Sequence, residues 1–112
     1  MAVGSGGDSR VAASAGPTWT FLTHHAQMLL AVAREPDARV RDLADRVGVS
    51  PRAAVSLLGD LVAAGYVERS RSGRRNSYAV HAELPFRHPA HADHAIGELM
   101  AIFEVKESAR RA

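Results

Sequence analysis

The sequence predicts an α+β fold that is mostly helical and carries one small antiparallel hairpin. Two observations predict it. Apolar residues recur every three or four positions in four separate stretches of the chain. Between the third and fourth stretches, two short alternating runs, Tyr66 to Arg71 and Asn76 to His81, flank the turn-forming segment Ser72-Gly73-Arg74-Arg75.

The first helix is expected from Trp19 to about Arg34, with Phe21, Leu22, Met28, Leu29 and Val32 at helical spacing. Glu35-Pro36-Asp37 stops it, because proline disfavours helical geometry at the residue before it. Ala38 to Val40 reads as a short strand. A second helix follows to about Val47, with Leu43, Ala44 and Val47 on one face. Arg39 is its cap position, and Asp42 suits the positive end of the helix dipole. Gly48 can adopt the left-handed conformation that ends a helix. Ser50-Pro51 then starts the third helix with a capping hydroxyl and proline at its first position. Val55, Leu58, Leu61 and Val62 are expected as its core stripe, and Gly65 as its end. After the hairpin and the link Leu84-Pro85-Phe86-Arg87-His88-Pro89, a last helix is expected from about Ala90 to Lys106. Its stripe comprises Ala92, Ile96, Leu99 and Phe103, widened by Ala95, Met100 and Ile102. Met1 to Pro17, rich in Gly, Ser and Ala, reads as a disordered tail. Residues 18–106 read as one domain and 107–112 as a C-terminal tail.

A chain of 112 residues suits one domain with a modest core, so association with a second copy fits its size. With 46% hydrophobic and 23% charged residues, it has the balance of a soluble globular protein. The absence of cysteine excludes disulfides, thiolate metal sites and Cys nucleophiles. No apolar run reaches membrane-spanning length and no signal-peptide core is visible, so the expected location is cytoplasmic, with no membrane partner. The net charge is only +2, but its distribution is uneven. Arg69, Arg71, Arg74 and Arg75 fall within seven residues that contain no acid, a density that suits a polyanionic partner or, equally, a solvated arginine loop.

The second and third helices and the turn between them have the form of a helix-turn-helix, with Leu43, Ala44, Gly48, Val49, Val55, Leu58 and Leu61 at the contact and turn positions. The alternative is an ordinary helix pair in an interaction domain. In the first reading, Ser50, Pro51, Arg52, Ala54, Ser56 and Leu57 lie at or near the start of the helix that enters DNA. Arg52 can pair bidentately with guanine, Ser56 can bond a base or phosphate, and alanines can touch thymine methyls. Arg69, Arg71, Arg74, Arg75 and Asn76 complete the expected contact set on the hairpin.

DLADRVGVSPRAAVSLLGDLVAAGYVERSRSGRRNSY resembles the winged helix-turn-helix regulators of the MarR and ArsR type, in which the same pattern precedes a basic wing and a closing aromatic strand. The flanks WTFLTHHAQMLLAVAREPDARVRDLADRVGVS and GRRNSYAVHAELPFRHP are similar to a group of small, stand-alone actinobacterial-type regulators. The resemblance covers about Trp19 to Phe103. It implies a winged helix-turn-helix with an extra C-terminal helix, helix 50–64 in the major groove of double-stranded DNA, and wing 69–76 on the backbone or minor groove. It also implies a homodimer. Ala53, Ala54 and Leu57 stand where such proteins often carry Thr, Gln, Asn or Arg, so phosphate grip and groove shape are expected to carry more of the affinity.

Trp19, Phe21, His25, Ile96, Leu99, Met100 and Phe103 are the expected dimer-interface residues, although the terminal helices can instead pack on each other within one protomer. His25 is expected on the apolar face of the first helix, buried and hydrogen-bonded. His88, His91 and His94 recur every three residues, and His91 and His94 on one helical face could hold a transition metal. The simpler reading is a solvated or capping cluster, and no metal or other cofactor is expected. No phosphate-binding glycine loop, nucleophile elbow or HExxH is present, so no enzymatic activity is expected. The function expected is DNA binding in transcriptional regulation. Two rivals stand beside it: a winged-helix protein-interaction module, and a sensor of a metal or unknown small-molecule effector gated through helix 90–106.

Overall fold

A computed structural model describes residues 18–105, so the expected tails at 1–17 and 107–112 lie outside the described residues. Three helices, a two-stranded hairpin and a short fourth helix follow in order. They are α1 (His24–Arg34), α2 (Val40–Val47), α3 (Pro51–Ala63), β1 (Val67–Ser72), β2 (Arg75–Val80) and α4 (Ile96–Ile102). A single 3-10 turn, Pro89–His91, precedes α4.

α1 starts later than the apolar spacing suggests. Thr23 caps it by accepting a hydrogen bond from the Ala26 backbone N–H at 3.1 Å. Trp19 and Phe21 therefore lie before the helix and are exposed, whereas Met28 to Ala33 are all buried. The helix stops at Arg34 ahead of Pro36 as expected. The strand expected at Ala38 to Val40 does not form: Val40 already opens α2. Among the described residues Ala38 to Val40 make no backbone bond to β2, and the bond from Tyr78 N–H to the Pro36 carbonyl (2.9 Å) joins only the preceding turn to it. Proline has no N–H with which to extend a ladder.

α2 buries Leu43, Ala44 and Val47 and ends at Gly48, whose φ of 86° only glycine adopts without strain. Ser50 Oγ accepts from the Ala53 N–H at 3.1 Å, and Pro51 occupies the first helical position of α3. The buried stripe of α3 is Ala54, Leu57, Leu58 and Leu61. It is rotated one position from the expected stripe: Val55 is 58% exposed and Ala54 fully buried. Spacings of three and four residues fit either stripe, and packing against α1 and α2 selects the one that turns small Ala54 inward.

In the hairpin Val67 pairs with Val80, Arg69 with Tyr78 and Ser72 with Arg75, leaving Gly73-Arg74 as a two-residue turn. Gly73 has φ 64°, the positive value that such a turn demands at its first position. Val67, Tyr78 and Val80 seal the hairpin's base onto the core, while the outer part of β1 is exposed.

The last helix is much shorter than expected. Backbone bonds from Phe86 N–H to the His94 carbonyl (3.0 Å) and from Ile96 N–H to the Leu84 carbonyl (2.9 Å) close residues 86–94 into a loop. The tyrosine hydroxyl of Tyr66 also donates to the Pro85 carbonyl. At its other end α4 is terminated by Glu104, which has φ 55°, so that Val105 folds back and is buried. The Val105 N–H donates to the Met100 carbonyl at 2.9 Å, which caps the helix.

Candidate nucleic-acid interface

The third helix and the hairpin carry the candidate contact surface. Burial of Ala54, Leu57, Leu58 and Leu61 leaves Arg52, Val55, Ser56, Gly59 and Asp60 exposed. Ser50, Pro51 and Arg52 are exposed at the helix N-terminus, where the dipole favours an anion. Arg52 and Ser56 lie one turn apart on the exposed side, as expected. Ala54 and Leu57 do not: both belong to the core, so they are removed from the expected contact set, and Val55, which spacing assigns to the core, is exposed instead. The acid on this side, Asp60, lies two turns from Arg52 and is bonded to His25 (Nε2 to Oδ2, 2.8 Å). Its charge is thus set apart from the helix start.

On the hairpin Arg69, Arg71 and Arg74 are exposed and make no ion pair or side-chain hydrogen bond among the described residues. Arg75 differs. Its guanidinium donates to the Asp37 carbonyl at 2.6 Å, bracing the wing against the loop between α1 and α2. Asn76, opposite Arg71, is partly buried. The bulk of the basic charge therefore lies at an unbraced hairpin end, with one arginine fixing the hairpin's attitude. Glu68, the acid on β1, lies near its base within 3.3 Å of His81.

The expected interface residues divide into three groups. Ile96 and Met100 are buried within the protomer. Leu99 is half-buried, while Trp19, Phe21 and Phe103 are exposed. His25 is not buried as expected but bridges α1 to α3 at the surface, because α1 starts with the turn that carries it. A polar pair between two helices, 35 residues apart along the chain, leaves no periodic signal in the sequence.

His88, His91 and His94 do not share a helical face. His88 Nδ1 accepts from the Ala90 N–H (3.0 Å) to cap the 3-10 turn, and His94 Nδ1 lies 2.7 Å from Glu98 Oε1. That hydrogen bond, with the charges of Glu98 and Asp93, holds the His94 pKa above its usual value; the same bond and the Ala95 N–H hold Glu98 below its own. Among the described residues no group of three or more His, Asp or Glu is placed to hold a metal ion. No helix among them is long and apolar enough to cross a membrane.

A capped helix after a glycine turn, followed by an arginine-bearing two-stranded wing, defines a winged helix-turn-helix. The sequence matches the MarR family over residues 17–75, more than half of the chain, and the protein belongs to that family. No curated protein matches it. As a MarR-family domain it is a DNA-binding transcriptional regulator, a class of regulators rather than enzymes.

Proposed function

We propose that the protein binds duplex DNA as a homodimer, with the start of α3 in the major groove and the wing on the backbone or minor groove. The observation that carries this reading is the set of exposed arginines, Arg52 at the start of α3 and Arg69, Arg71 and Arg74 on the wing, with no acidic partner among the described residues. Ser50 and Pro51 position the helix start, Arg52 and Ser56 reach toward bases or phosphates, and Val55 offers an apolar contact to thymine methyls. With one arginine and one hydroxyl as polar readers, sequence preference is modest and phosphate contacts dominate the affinity. Two copies present two recognition helices to a two-fold operator, with half-sites about one helical turn apart. Such a protein works in the cytoplasm.

Selection of bound sequences from random duplex DNA at two salt concentrations tests the reading. The expected result is a palindromic motif whose enrichment falls steeply as salt rises. Salt-independent or absent duplex binding would overturn it in favour of a module that binds an acidic protein surface.

A further inference from the structure

Beside the DNA-binding elements, a cavity of about 580 Å³ opens between the start of α1, the end of α3 and α4. Leu29, Leu61, Phe86, Ile96 and Leu99 form its mostly apolar walls, and Thr23, His25 and Asp60 stand among its lining residues. A few residues before Thr23 stand two large exposed aromatic side chains. Trp19 and Phe21 are 68% and 92% exposed, with their rings edge to face at 5.1 Å.

The backbone around Phe21 is hydrogen-bonded to the start of α1. Thr20 Oγ1 donates to the Leu22 carbonyl at 2.6 Å, and the Gln27 side-chain amide donates to the same carbonyl at 3.0 Å and to Thr20 Oγ1 at 3.3 Å. Residues 20–22 are thereby pinned against the first turns of α1, and the rings stand in solvent instead of in the protomer's own cavity. A projecting apolar pair next to an apolar recess is the arrangement a self-complementary two-fold contact requires, where each copy supplies what the other receives.

We propose that Trp19 and Phe21 of each protomer seat in the cavity of a second copy of this chain. The proposal rests on the homodimer proposed above and adds the contact that joins the two copies. An aromatic side chain carries roughly 150–250 Å² of surface, so four rings bring roughly 600–1,000 Å². With the smaller area of cavity wall they cover, the contact comes to roughly 1,000 Å², the lower limit for a specific interface. The polar chemistry also matches. Asp60 Oδ1 has no hydrogen-bond partner among the described residues, and an indole N–H is a donor without acceptor capacity. Because Leu61 and Ala64 at the end of α3 line the cavity, the contact ties each recognition helix directly to the partner and sets the separation of the two.

Trp19 is the sole tryptophan, so its fluorescence reports on this contact alone. The full chain is followed across a dilution series by tryptophan emission and by sedimentation mass. The emission maximum is expected to move to shorter wavelength over the same concentrations at which the mass doubles. In Leu99→Arg, which blocks the cavity, circular dichroism should remain native while mass stays monomeric and emission stays at long wavelength. Phe21→Ala, which removes an exposed ring, should weaken dimerisation by at least tenfold. A dimer whose Trp19 still emits as an exposed indole, or an unchanged dissociation constant in Phe21→Ala, overturns the seating while leaving the dimer. A monomer emitting at long wavelength at every concentration overturns both. A monomer emitting at short wavelength shows the rings covered by their own chain and overturns the proposal.

Discussion

His25 Nε2 lies 2.8 Å from Asp60 Oδ2, joining the first turn of α1 to the exposed side of the helix that carries Arg52. Both side chains are about half exposed or more, so solvent screens the attraction between them. A double-mutant cycle with His25→Ala and Asp60→Ala in the monomeric Leu99→Arg background should therefore give a coupling of about 0–1 kcal/mol in urea unfolding. A coupling above about 2 kcal/mol in that background would mean that the pair is desolvated within a single protomer.

The wing arginines separate into grip and brace. Replacing Arg69, Arg71 and Arg74 with alanine should weaken DNA binding and reduce the slope of log affinity against log salt by up to about 0.9 for each phosphate released from the protein. Arg75→Ala should change that slope less, because its guanidinium is bonded to the Asp37 carbonyl. An undiminished slope in the triple variant would remove the wing from the interface.

The rotation of α3 has a direct thermodynamic test. Leu57→Ala should cost about 2–5 kcal/mol of stability because the side chain is buried. Val55→Ala, on the solvent side, should stay within about 0.5 kcal/mol. The reverse order in urea melts would restore the stripe expected from spacing.

Two glycines should respond in opposite directions. At Gly59, inside α3, an added Cβ meets nothing within 4 Å, so Gly59→Ala should stabilise by about 0.5–1 kcal/mol. At Gly48 the space is equally open but φ is 86°, so Gly48→Ala should destabilise by about 1–3 kcal/mol. Thermal melts of both variants check the contrast, which isolates backbone conformation from crowding.

The exposed His94–Glu98 pair makes a pH prediction. His94 is raised from its ordinary 6.5 chiefly by the hydrogen bond to Glu98, so its contribution is full below that value and fades as pH rises through the raised one. Glu98 is lowered from 4.5 chiefly by the same bond, so its contribution is full above that value and fades as pH falls through the lowered one. The pair is charged on both sides between these limits. NMR titration should find His94 above 6.5 and returning toward it in Glu98→Gln. An unmoved His94 would show that the bond does not persist in solution.

What the sequence determined by itself was local. Gly48, Ser50-Pro51 and Gly73 each carry a backbone requirement in their own chemistry, so the helix-turn-helix and the wing were readable to within about a residue. The family resemblance rests on that same segment, which the family match covers up to the first residue of the wing's second strand. Tertiary structure decided what local chemistry leaves degenerate. Both α3 stripes share Leu58 and Leu61, and only packing distinguishes Ala54 from Val55 as the inward residue. Apolar spacing overextends the terminal helices because it continues past the points where Thr23 caps α1 and the 86–94 loop delays α4. Periodicity marks which residues can share a face. It does not say which face meets a core, so the His25–Asp60 bridge and the cavity beside it emerge only once the helices are packed together.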